Sequence, residues 1–162
     1  TFIASEYSIG FDGLLNFYAG RNDACELDFE EAFTTHMHWN KELLCAPYVI
    51  KASPELTQRI AEEDMVKGVT IACGGFYGPQ GRQLRIPLAD PDQNKKVESF
   101  EYQGHVITNF EMESSALAGL ARLLGHHATT CCMVVANRRA HNVCTDYKKQ
   151  MSKLIETVLE RI

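Results

Sequence analysis

From Pro47 onward the apolar residues of this chain keep changing rhythm, and that alternation limits what it can fold into. Pro47 to Ala52, Val69 to Cys73, His105 to Met112 and Thr129 to Ala136 carry the spacing or the short apolar run of strands. Between them, Leu56, Ile60, Ala61 and Met65 fall on one helical face. So do Ala116, Leu117, Leu120 and Leu124, and again Met151, Leu154, Ile155, Val158 and Leu159. Strands alternating with helices predict an α/β layered domain with a mostly parallel or mixed sheet. The Thr129 to Ala136 run is almost continuously apolar, as in a strand covered on both faces.

Punctuation sharpens these boundaries. Ser53-Pro54-Glu55 combines an N-capping hydroxyl, a first-turn proline and a first-turn acid. It predicts a helix that runs past Met65 and stops at Gly68. Glu113 to Leu124 reads as a helix closed by Gly125. Upstream, Phe2 to Ile9 reads as a strand leaving through Gly10 and Gly13. A short helix is expected around Asp28 to His36, and a solvated loop or helical turn from Asp90 to Ser99. The aromatics between Leu14 and Trp39 point either to a satellite core or to a contact with another subunit.

The 162 residues suffice for one domain with a substantial core and are too few for two ordinary ones. A net charge of -5 argues against nucleic acid or an anionic membrane as partner. No apolar run reaches the length of a membrane span. The six cysteines form no CxxC pair, and a domain of this size needs no disulfide staples. Reduced thiols and a cytoplasmic location are therefore expected. His36 and His38 are spaced like strand neighbours, but further metal ligands are lacking nearby, so a structural or surface role is expected. The chain opens on Thr1 and enters an apolar segment at once, which suggests a cut through a larger protein.

Two segments carry chemistry. The first is Phe76-Tyr77-Gly78-Pro79-Gln80-Gly81-Arg82. The Gln80 carboxamide has a donor and an acceptor side by side and can pair with a ring carbonyl and its neighbouring N–H. The Arg82 guanidinium, planar and permanently charged, can reach a second carbonyl of the same ring. A pyrimidine-2,4-dione offers that set of groups, although the same letters also suit a plain surface turn. The second is Phe110-Glu111-Met112-Glu113-Ser114, where a strand passes into a helix. Carboxylates there are stabilised by the helix dipole and can accept hydrogen bonds from sugar hydroxyls, or simply start the helix. Both segments, and Asn137-Arg138, fall where strands end, which is where ligands collect on such sheets.

With these motifs in order along nearly the whole chain, the sequence resembles the nucleoside phosphorylase family, and within it the uridine phosphorylases. The resemblance implies a three-layer α/β fold with a mixed central sheet and flanking helices. Residues 1–162 would be a single domain, the C-terminal portion of a nucleoside phosphorylase-like domain. The implied reaction takes uridine and inorganic phosphate to uracil and ribose 1-phosphate, with phosphate as co-substrate and no metal or organic cofactor. Arg82 and Glu113 would be the catalytic residues. Gln80 would bind the uracil 2-carbonyl and ring N–H, Arg82 the 4-carbonyl, and Phe76 would pack on the base. Met112 would line the sugar, Glu113 would hold its hydroxyls, and Glu111 would support them. Arg138 stands where purine-handling relatives carry an aspartate, which favours an oxo-pyrimidine. The family's upstream phosphate loops have no counterpart here: the only arginines before Arg82 are Arg21 and Arg59. A nucleosidase and a non-catalytic nucleoside-binding or assembly fragment are the alternatives, and a homo-oligomer is expected.

Overall fold

The computed structural model describes residues 1–137 and 142–162. Arg138 lies outside the described residues. In chain order the elements are β1 (Phe2–Gly10), a 3-10 turn (Leu14–Phe17), α1 (Arg21–Ala24), α2 (Leu27–His36), β2 (Tyr48–Lys51), α3 (Pro54–Ile60) and β3 (Met65–Ala72). Then follow a second 3-10 turn (Gly78–Gln80), α4 (Gln93–Ser99), β4 (Glu101–Tyr102), β5 (His105–Glu111), α5 (Ser114–Leu123) and β6 (Cys131–Met133). The short antiparallel strands β7 (Ala136–Asn137) and β8 (Asn142–Val143) precede α6 (Tyr147–Arg161).

The main sheet runs β2-β1-β3-β5-β4, with β6 beside β1 as well. β1, β3 and β5 are parallel, whereas β2 and β6 run antiparallel to β1 and β4 antiparallel to β5. The sheet is therefore mixed, and alternation along β2 shows that both faces are covered. Val49 points into a core with Phe29 and Phe33 of α2 and Val97 of α4. Tyr48 and Ile50 point the other way, toward Leu15 and Ala118 of α5. A third cluster closes the sheet where β1 begins, joining Phe2, Ile60, Met65, Met133 and Leu154.

Aromatic residues dominate the first core. Phe29 and Phe33 are buried, and Phe11 and Trp39 pack against them, with ring centroids 4.8 Å apart for the Phe11–Trp39 pair. Most of the aromatic segment is thus core; Phe17 and Tyr18 remain exposed.

Three boundaries differ from the sequence reading. α3 begins as expected, with Ser53 Oγ accepting from the Leu56 amide, but ends at Ile60. Met65 already belongs to β3 and pairs with Phe2. Apolar spacing ran on across the break because Ile60, Ala61 and Met65 all enter the same cluster. Gly68 is no helix stop; it lies inside β3, where an added Cβ would stand 2.3 Å from Thr108 Cγ2 on the next strand. β6 is shorter than expected, and Cys131 and Cys132 are half-buried. On α6 only Leu154 is buried and Val158 packs inward, while Met151, Ile155 and Leu159 are exposed.

A candidate base and sugar site

Register brings the two motifs together. Gly10 pairs with Ala72, and Ala72 with Glu111, so three parallel strands end side by side. The bonds continue past the strands: the Phe11 amide donates to Ala72 O and the Cys73 amide to Glu111 O, each at 2.9 Å. The first motif leaves β3 here and the second leaves β5. A cavity of about 1080 Å³ is lined by Phe76, Gln80, Arg82, Glu111, Met112 and Glu113, together with Asn94, Asn109 and Asn137. Six of the seven residues singled out in the sequence thus share one cavity.

The wall that the sequence resemblance assigns to the base is the turn after β3. Tyr77 O accepts from the Gln80 and Arg82 amides at 3.1 and 2.9 Å, and Gly78 O accepts from the Gly81 amide at 2.8 Å. Gly81 completes the turn in the left-handed region at φ +66. Gln80 is buried at 3% exposure, unlike a polar residue on a plain surface turn. The Arg82 guanidinium carbon stands 3.7 Å from the centre of the Phe76 ring, a cation–π stack. One face of Phe76 is therefore occupied by Arg82, and a base packed on Phe76 must use its other face or displace the guanidinium. Arg82 Nε is buried without a hydrogen-bond partner, as is Asn94 Oδ1. Each such group costs ~1–3 kcal/mol, so this wall is left in need of polar partners.

The wall that the resemblance assigns to the sugar is the β5–α5 junction. Glu111 Oε2 accepts from the backbone amides of Glu113 and Ser114 at 2.7 and 2.8 Å, and Oε1 accepts from Ser114 Oγ at 2.6 Å. Glu111 thereby supplies the acceptors that the first amides of α5 lack within the helix. Glu113, at the N-cap position, does not cap with its side chain. Its side chain is exposed and accepts no hydrogen bond among the described residues, so its carboxylate is available to a ligand.

Behind the walls lie polar groups that sequence reasoning missed. Ser5 Oγ and Thr70 Oγ1 are 2.6 Å apart, and Thr70 Oγ1 donates to Asn109 Oδ1 at 2.8 Å. Thr70 spends its one hydrogen on Asn109, so Ser5 is the donor to Thr70. The single Thr108 hydroxyl hydrogen is shared between Asn109 Oδ1 and Val69 O, each 3.1 Å from Oγ1. Beside this ladder the Cys132 thiol is pushed up to about 11, first by burial and then by the Glu111 charge, with the Asn109 hydrogen bond opposing. Tyr48 Oη and Ser115 Oγ are 2.9 Å apart under α5, an approach that Gly10 permits because a Cβ there would stand 2.3 Å from the Tyr48 ring. Asn109, an amide between Thr108 and Phe110 in β5, was the visible signal for the ladder.

No group of three or more metal-ligating residues clusters among the described residues. His36 ends α2 rather than lying on a strand; its Nε2 is 2.9 Å from Lys96 O and 3.1 Å from Ser99 Oγ on α4. None of the described helices is long and apolar enough to cross a membrane.

The family model of the phosphorylase superfamily matches residues 1–160. No curated protein matches the chain. Among solved structures, the chain is similar to a Trypanosoma brucei nucleoside phosphorylase that shows uridine phosphorylase activity. That likeness has a TM-score of 0.80 at 25% identity and covers 99% of this chain and 57% of the other. It also resembles uridine phosphorylase from Schistosoma mansoni, solved in complex with thymine, at a TM-score of 0.50 and 19% identity, over 99% of this chain and 55% of that one; this second likeness speaks for the fold alone. The chain thus spans little more than half the length of these structures.

Proposed function

The chain belongs to the phosphorylase superfamily, and on that premise we propose that it forms the base-binding and sugar-binding part of a nucleoside phosphorylase acting on uridine. The observation that carries this reading is the convergence, at the ends of β3 and β5, of a carboxamide–guanidinium pair and an unengaged carboxylate on one cavity. In the proposed reaction a phosphate oxygen forms a bond to C1′ as the C1′–N1 bond breaks. The bonding pair leaves with uracil, which then takes up a proton, and the sugar departs as ribose 1-phosphate.

Each residue has a task in that step. Gln80 reads the 2-carbonyl and ring N–H, and Arg82 the 4-carbonyl. As the leaving ring gains negative charge, both hold it more tightly than they hold the substrate. Glu113 accepts from the ribose hydroxyls and so sets the sugar's angle to the attacking oxygen. Met112 lines the sugar, Phe76 packs on the base, and Glu111 acts by holding the α5 terminus. Arg138 is proposed to favour an oxo-pyrimidine over a purine. Phosphate is the co-substrate, and its binding residues are proposed to lie in the part of the protein corresponding to the rest of the longer structures. The exposed Phe17 and Tyr18 are a candidate contact for a homo-oligomer.

The test is uridine cleavage with and without inorganic phosphate. Phosphate-dependent release of uracil is expected, and Arg82→Ala should lower it about a hundredfold, the scale of one lost transition-state donor. Full activity in that variant would refute the assigned roles. Phosphate-independent release would establish a nucleosidase, and uracil binding with no product a non-catalytic module.

A further inference from the structure

We infer that Gln93 and Asn94 are positioning residues for the base-reading pair, so that base selectivity is set in part by the helix that holds the turn. The inference rests on the base site proposed above. Gln93 Nε2 donates to Pro79 O at 2.8 Å, and Asn94 Nδ2 donates to Gly81 O at 3.1 Å. Pro79 and Gly81 are the residues on either side of Gln80. Two neighbouring carboxamides of α4 therefore hold the two carbonyls that bracket the base-reading glutamine. The amide orientation at Asn94 follows from the bond itself, since the reverse would set two oxygens against each other.

The fit is close. A Cβ on Gly81 would stand 2.5–2.6 Å from the Asn94 carboxamide, so the turn rests directly on that side chain. The helix beneath is itself anchored. Val97 and Phe100 are buried in the aromatic core, and the ring of His36 holds Lys96 O. Where the core sets α4, α4 sets the turn, and the turn aims Gln80 and Arg82. Asn94 also lines the cavity beside them, and its Oδ1 is one of the two buried polar atoms without a partner there.

The decisive experiment titrates uracil, and separately cytosine, into the protein by calorimetry, with melting temperatures measured alongside. Asn94→Ala and Gln93→Ala should each weaken uracil binding about tenfold, the scale of one lost hydrogen bond, and narrow the preference for uracil over cytosine. The exposed Lys95→Ala, one residue on along α4, should change neither. A merely structural role would lower melting while leaving affinity and selectivity of the folded protein intact, and that result would overturn the inference. Should Asn94→Ala not fold, Gln93→Ala, whose bond lies at the surface, carries the test. Arg82→Ala separates the two levels. If it binds uracil like the parent, the base site itself is misassigned. If it loses uracil while Gln93→Ala and Asn94→Ala retain it, only the positioning role fails.

Discussion

The two walls of the cavity are held by different means. The sugar-side wall is self-sufficient: Glu111 takes three hydrogen bonds from residues two and three positions further on. The base-side wall depends on distant residues, because its turn is clasped by Gln93 and Asn94 of α4, which His36 of α2 holds in turn. A junction that caps its own helix tolerates change elsewhere in the molecule. A turn suspended from another element inherits every disturbance of that element. On the proposed function, affinity for the sugar should therefore be robust and discrimination among bases fragile.

The strongest blow to this contrast is Gly81→Ala. It places a Cβ 2.5 Å from Asn94 Oδ1 at a backbone φ of +66. The turn or Asn94 must move, and uridine cleavage should fall by about a hundredfold, as for a misplacement of about 1 Å. Cleavage near the parental rate would mean the turn is not held by α4. Next comes Glu113→Gln on the other wall. Hydrogen bonds to a charged group contribute ~1.5–3 kcal/mol, so kcat/KM should drop roughly tenfold to a hundredfold. The melting temperature should stay unchanged because this carboxylate is exposed and makes no bond among the described residues. Glu111→Ala should do the converse. Stripping the acceptors from the start of α5 should cost ~1–2 kcal/mol in denaturant unfolding, as for other lost caps. Lost activity with unchanged stability would instead make Glu111 a direct ligand of the sugar. The smallest effect concerns thiols. Exposed Cys45 should react with iodoacetamide well before Cys132, whose thiol is pushed up to about 11, and before Cys25, pushed up to about 12 chiefly by burial. Early labelling of Cys132 would show that burial and the Glu111 charge do not hold its thiol up.

The sequence disclosed these two walls unequally for the same reason. β5 and α5 were legible because their rhythms are local, and Glu111 announced itself as an acid where a strand becomes a helix. The first motif showed which groups the turn offers, but not what holds it. Gln93 and Asn94 sit in a stretch of polar letters that reads as solvated, and only the fold shows two of them facing carbonyls across the chain. Met65 and Gly68 misled because an apolar residue fits a helix face or a strand equally, and glycine serves both helix ends and close strand approach. On α6 the apolar stripe was real, but only Leu154 and Val158 of it join the core cluster at the start of β1.

The pairing of β1 has a consequence for how the molecule is made. Phe2 and Ala4 of β1 take Met133 and Cys131 as antiparallel partners, so the ribosome must add the whole intervening stretch before these residues can pair. At ~5–20 residues per second, a segment of that length takes on the order of ten seconds to synthesise. Throughout that interval the leading half of β1 presents an unsatisfied, apolar edge, the kind that recruits a strand from another chain. Yield in cells should therefore depend on translation speed and on chaperone supply more than on the stability of the finished fold.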